Sequence, residues 1–208
     1  MDAEIEATVA GCTQAHRRLG ETLESVDDDT VRRPSGLPGW TVAHVLAHLA
    51  RNAESHVRML EGALAGEAVE QYPGGPEQRS GDIEAGASLN AAELRSGVLS
   101  SNAQVEAAWG RMTPEAWDRH GLAQGDEWPC RLMPFHRWRE VEIHHVDLGL
   151  GYSPDDWPAE YVTRELPQAL DTVPDRLSGA DRAAVLAWLV GRSGQPPTID
   201  LTPWPGRR

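Results

Sequence analysis

Residues 41–65 read TVAHVLAHLARNAESHVRMLEGALA, and this stretch decides the fold. Val42, Leu46, Leu49, Ala53, Val57, Leu60 and Leu64 recur at spacings of three and four, which places them on one stripe of an α-helix. Thr41 is a candidate N-cap. The preceding VRRPSGLPGW holds two prolines and two glycines, so residues 31–39 form a loop. Before that loop, Ile5, Val9, Cys12, His16, Leu19 and Leu23 predict a helix over 3–23. After the central helix, residues 66–87 are rich in Gly, Pro, Glu and Ser and read as a long loop. Asn90 and Glu93 form a capping box that opens a third helix, ending near Arg111. Thr113-Pro114-Glu115 starts a helical turn, and Gly121, Gly125 and Pro129 make 120–130 a loop or short extended piece. A fourth long helix covers 132–148 and stops at Gly149 and Gly151. Further helices are predicted over 155–172 and 180–192, and a short strand over Thr198–Leu201. Four long helices with little strand predict a mainly α chain: a four-helix bundle over 1–152 and a short, mostly helical C-terminal extension over 153–208.

The chain has 208 residues, enough to bury a core without disulfides. It carries 19 basic and 32 acidic residues, a net charge of −13, which argues against nucleic acid or an anionic membrane as the main partner. Cys12 and Cys130 form neither a CxxC pair nor a zinc-ribbon spacing, so two reduced thiols in a cytoplasmic protein are expected. The acidic N-terminus shows no signal-peptide pattern, and no apolar run approaches the ~20 residues of a membrane span.

Chemistry concentrates in HRWREVEIHHVDLG, residues 136–149. On a helix, His136, Glu140 and His144 fall within a sector of about 80°. Glu140 and His144 are i, i+4 neighbours able to share one metal ion, and Asp147 on the same face suits a ligand or an outer partner for an imidazole. The competing reading is a charged, solvated face that also carries Arg137, Arg139 and Glu142. The central helix holds His44, His48 and His56. Relative to the apolar stripe they lie roughly 150°, 110° and 30° away. His56 is therefore expected to be a hydrogen-bonded core histidine, and periodicity alone does not choose His48 over it. A ligand from a facing helix beside Glu140 and His144 would give three protein ligands and an open position, the pattern of a catalytic metal site. Arg192, at the end of the last helix, suits either a carboxylate clamp or a surface C-terminal cation. Cys12 sits on an apolar stripe, Cys130 has only Arg131 beside it, and no GxSxG, P-loop or GxGxxG motif occurs.

LPGWTVAHVLAHLARNA at 37–53 and REVEIHHVDLG at 139–149 resemble the mycothiol-dependent maleylpyruvate isomerase family, as do QRSGDIEAGASLNAAELR at 78–95 and WLVGR at 188–192 more weakly. The resemblance implies a DinB-like four-helix bundle with a divalent metal, here Zn²⁺, on His48, Glu140 and His144. It implies Arg192 as the residue that binds a substrate carboxylate, and mycothiol as cofactor. The family's C-terminal α/β part has several strands, whereas this extension reads as trimmed. The activity implied is cis–trans isomerisation of maleylpyruvate to fumarylpyruvate: a metal-held thiolate adds to the C=C bond, the single bond rotates, and elimination follows. The rival activities are a mycothiol S-transferase acting on an electrophile and a non-catalytic small-ligand-binding bundle.

Overall fold

The computed structural model describes residues 2–202, and these fall in two compact units that meet between Trp157 and Pro158 in the sequence. In the first, four long helices dominate: α1 (Ala3–Leu23), α3 (Val42–Ala65), α5 (Ala91–Arg111) and α7 (Met133–Asp147). Short helices α2 (Asp28–Val31) and α6 (Pro114–Trp117) link them. α1 packs on α7, α7 on α3, α3 on α5, and α5 back on α1, so the four close into a ring around one core.

Local chemistry sets each helix. Asp2 caps α1 by accepting from the Ile5 amide, and Asn90 and Glu93 form the expected reciprocal box at the start of α5. Gly66, at φ 86°, ends α3 in the left-handed conformation that glycine adopts without cost. Leu19, Leu23, Leu46, Leu49 and Leu60 are fully buried, each contributing about 1.5–3 kcal/mol of apolar burial.

The core is not purely apolar. Arg137 of α7 is fully buried and donates to the Leu49 carbonyl (3.0 Å) and Asn52 Oδ1 (2.7 Å) on α3. It also donates to Asn102 Oδ1 on α5 (2.7 Å) and His16 Nε2 on α1 (3.3 Å). One side chain thus ties all four helices. Buried Glu142 accepts from Arg18 (2.6 Å), from the Trp138 indole (2.8 Å) and from the Tyr152 hydroxyl. These charges correct the solvated-face reading of this helix: they are satisfied inside the bundle.

Two other expectations change in this unit. Residues 66–87 are not all loop, because Gly75–Ala87 forms a helix, α4, lying on α3. It opens with Pro76 in its first turn and approaches closely where Gly86 meets Ala47; a Cβ at Gly86 would come within 2.7 Å of the Ala47 Cβ. Residues 120–130 contain a hairpin, β1 (His120–Ala123) antiparallel to β2 (Asp126–Pro129). Gln124 and Gly125 turn it with φ of 56° and 85°, the two positive values a tight two-residue hairpin turn needs.

The second unit holds α8 (Ala159–Asp171), α9 (Val173–Arg176) and α10 (Gly179–Leu189). The strand expected over Thr198–Leu201 is not formed among the described residues. Thr202 bonds Arg176 there, whose backbone carbonyl and guanidinium meet the Thr202 amide (3.2 Å) and carbonyl (2.9 Å). An extended segment without a partner strand has no ladder to join. No helix among the described residues is long and apolar enough to cross a membrane.

Candidate metal centre

α3 and α7 face each other and carry the candidate residues. The loop before α3 is fixed to the end of α7 by a bond from the Gly36 amide to the Asp147 carbonyl (2.7 Å). That loop delivers Trp40, whose ring lies edge-on to His48 with centroids 5.8 Å apart. His48 on α3 is buried, while Glu140 and His144, one turn apart on α7, keep side-chain exposures of 30% and 17%. The cluster is therefore closed on the helix side and reachable from outside.

The three side chains converge. His48 Nε2 lies 2.8 Å from Glu140 Oε2 and 3.1 Å from His144 Nε2, and His144 Nε2 lies 3.6 Å from Glu140 Oε2. His144 Nδ1 donates to Asp147 Oδ2 at 2.8 Å, which aims Nε2 at the cluster. His48 Nδ1 meets Arg79 Nη2 of α4 at 3.1 Å. Burial pulls the His48 pKa down to about 4 against the pull of Glu140, so this ring is neutral at pH 7. Burial acts the same way on His144, but the hydrogen bonds to Asp147 and Glu140 outweigh it and raise its pKa to about 9. Burial alone would raise Glu140; the two histidines prevail and hold its carboxyl well below the usual range.

Two imidazole nitrogens and one carboxylate oxygen form a donor set suited to a divalent cation such as Zn²⁺. The edges of 2.8, 3.1 and 3.6 Å bracket the edge of about 3.3 Å expected for a tetrahedron of zinc–ligand bonds near 2.0 Å. The residues present fit such an ion, with one position left over.

The structure separates the histidines that periodicity could not. His44 turns back to the start of α3, where Nδ1 accepts from the Thr41 amide (3.2 Å), and its Nε2 faces Glu84 (3.3 Å). His56 is fully buried as expected, but not hydrogen-bonded: neither ring nitrogen has a partner among the described residues. Its ring packs edge-on against Trp128 of the hairpin, which also covers His136. His136 therefore shares the α7 sector of Glu140 and His144 without joining their cluster. Arg192 lies in the second unit, exposed after α10, with Nη1 3.4 Å from the Val190 carbonyl. Both thiols are buried, and burial pushes Cys130 up to about 11 and Cys12 higher still, so neither is a thiolate. Sequence reasoning missed Arg79 and Trp40. Arg79 fell in the stretch read as loop; Pro76 ahead of EQRSGDIEAGA was the available helix-start signal.

A profile described as the mycothiol maleylpyruvate isomerase N-terminal domain matches residues 12–149. No curated protein matches the chain significantly. Among solved structures, the mycothiol-dependent maleylpyruvate isomerase is similar with a TM-score of 0.73 and 32% identity, over 80% of this chain and 70% of that one. A histidine-to-alanine mutant of the mycothiol-dependent maleylpyruvate isomerase is similar at the same TM-score, 31% identity and the same coverage. The matched stretch contains most of the DinB-like bundle, from within α1 to the end of α7, with His48, Glu140 and His144. By profile, identity and fold, the chain belongs to the mycothiol maleylpyruvate isomerase family.

Proposed function

We propose that this chain is a metal- and mycothiol-dependent isomerase that converts maleylpyruvate to fumarylpyruvate by reversible addition of the cofactor's thiol across the C=C bond. The observation that carries the proposal is the convergence of His48 Nε2, Glu140 Oε2 and His144 Nε2 in a chain of this family. When bound there, a divalent cation, Zn²⁺ in this reading, supplies the Lewis acidity that keeps a ligating thiol as thiolate. Glu140 contributes the one anionic donor. Asp147 holds the His144 ring so that Nε2 faces the cluster. Trp40 packs edge-on beside the His48 ring. The protein's own thiols are buried and protonated, so the sulfur has to arrive on a small molecule. Arg192 is assigned to a substrate carboxylate, which its planar fork can hold by two parallel bonds.

The test is turnover of maleylpyruvate by zinc-loaded protein with and without mycothiol. Fumarylpyruvate formed only with both, and with the thiol returned unchanged, supports the proposal. A stable thioether product supports an S-transferase instead. Metal-loaded protein inert to maleylpyruvate with mycothiol refutes the isomerase reading.

A further inference from the structure

The polar row that begins at the metal centre continues along the two facing helices. On α3, Asn52 and His56 follow His48 at steps of four residues; on α7, His136 precedes Glu140 by the same step. Each step is about one helical turn, roughly 6 Å along the axis. Asn52 is engaged by Arg137, which directs its other donors to Leu49, Asn102 and His16. His56 and His136 stand at the end of the row, and one indole covers both. Trp128 lies edge-on to His56 with centroids 5.7 Å apart, and edge-on to His136 at 4.8 Å.

Three polar atoms under this cover have no hydrogen-bond partner among the described residues: both ring nitrogens of His56 and the indole Nε1 of Trp128. All three are also shut off from water. Each has lost its hydration with nothing in return, and folded proteins seldom leave several such atoms side by side. The cover is also the least anchored wall. Trp128 is half-buried on β2, which among the described residues pairs in its sheet only with β1. A two-stranded ribbon is marginal by itself, so the indole can turn outward without disturbing the helices that carry the histidines.

The donors and acceptors decide what can enter. Burial, Arg137 and His136 hold His56 at a pKa of about 3, and burial and Arg139 hold His136 at about 4, so both rings are neutral at pH 7. A neutral imidazole offers one donor and one acceptor, and an indole one donor. A carboxylate only accepts and an ammonium only donates, so neither satisfies such a set. Hydroxyls do both. The geometry points to a second pocket, closed by Trp128 in this structure, in which His56, His136 and the indole N–H bind hydroxyl groups of a sugar or cyclitol. His136 stands one turn from Glu140, so one ligand can hold a thiol at the metal centre and hydroxyls here. Mycothiol, a cysteine carried on a glucosamine–inositol pair, has both ends. The identity of this ligand rests on the proposed function; the pocket rests on the unpartnered atoms.

Two titrations test it. In the first, glucosaminyl-inositol, which has no thiol, is added to the protein with zinc present and followed by the indole N–H signals in its NMR spectrum. Trp128→Phe identifies the Trp128 signal. That signal should shift and saturate. His56→Leu should need roughly tenfold more ligand, with His56→Gln in between because its amide keeps a donor and an acceptor. A Trp128 signal that does not move, or equal affinity in the His56 variants, overturns the pocket. The wild-type shift and His56→Gln decide this even if leucine unfolds the chain. In the second, cobalt-loaded protein is titrated with mycothiol and with N-acetylcysteine, which carries the thiol without the sugar and cyclitol, and the thiolate–cobalt band is read. His56→Leu should weaken mycothiol roughly tenfold and leave N-acetylcysteine unchanged. Unchanged mycothiol binding overturns the assignment of its hydroxyls to this pocket. Equal weakening of both thiols overturns it too, because the loss then comes through the metal centre. If neither thiol alters the cobalt bands, the proposed function fails, and the first titration still decides the pocket.

Discussion

Zinc affinity should depend on pH through one proton, and the structure says which. In the metal-free protein His144 has a pKa of about 9, against 6.5 for an ordinary histidine. Glu140 is already ionised and His48 already neutral at pH 7. A neutral His48 ligates with no net loss of protons, so His144 alone has to lose one. At pH 7 that proton lies about two pH units below its pKa. Displacing it costs on the order of 3 kcal/mol, or about 100-fold in apparent affinity relative to pH 9. Chelator competition between pH 6.5 and 9 should show the zinc constant rising about tenfold per pH unit and levelling above 9. The linkage has a second face: because this pKa is raised on folding, the metal-free protein gains stability that is fully present below pH 6.5 and lost as pH rises through 9. Asp147→Asn removes a main cause of the raised pKa, so its slope should flatten near neutrality. A zinc constant that is flat from pH 6.5 to 9 in the wild type would refute the reasoning, since His144 would then be neutral before metal arrives.

Three other outcomes are expected. Arg137→Met strands the Leu49 carbonyl, the Asn52 and Asn102 amide oxygens and His16, and should cost about 3–5 kcal/mol in urea unfolding; a loss below about 1 kcal/mol would show that the brace is dispensable. A Cys12→Ala, Cys130→Ala double variant should keep most turnover with mycothiol, because neither thiol is the nucleophile; its complete loss in folded, zinc-loaded protein would contradict this. Arg192→Lys should lower kcat/KM by about 10–100-fold at unchanged zinc content, as measured by steady-state kinetics, whereas wild-type kinetics would remove Arg192 from the substrate.

What was legible in the sequence followed from burial pattern. α1, α3 and α5 carry apolar residues at helical spacing, and Thr41 and Asn90 are readable as caps of the latter two, so their bounds agree with the structure within a residue. α4 escaped because it buries a single side chain, Ile83, and so leaves almost no stripe to read. The hairpin escaped because four-residue strands are too short for alternation to show. The same limit governs the site. Glu140 and His144 were legible because helix spacing alone makes them neighbours. His48 was not separable from His56 by periodicity, because periodicity reports burial and His56 is the more buried of the two. Convergence is a property of two facing helices, and only the family resemblance carried that information in the sequence. Arg79 needs a third helix to reach the cluster, and that helix was the one left unread.

The central claim is a metal centre of two imidazoles and one carboxylate with a position open to a thiol. X-ray absorption at the zinc edge of the loaded protein tests it most directly. Without thiol the first shell should contain only nitrogen and oxygen, at about 2.0–2.1 Å, with the scattering of two imidazoles; adding mycothiol should bring in one sulfur at about 2.3 Å. Sulfur already present without thiol, or a shell that mycothiol leaves unchanged, would contradict the account.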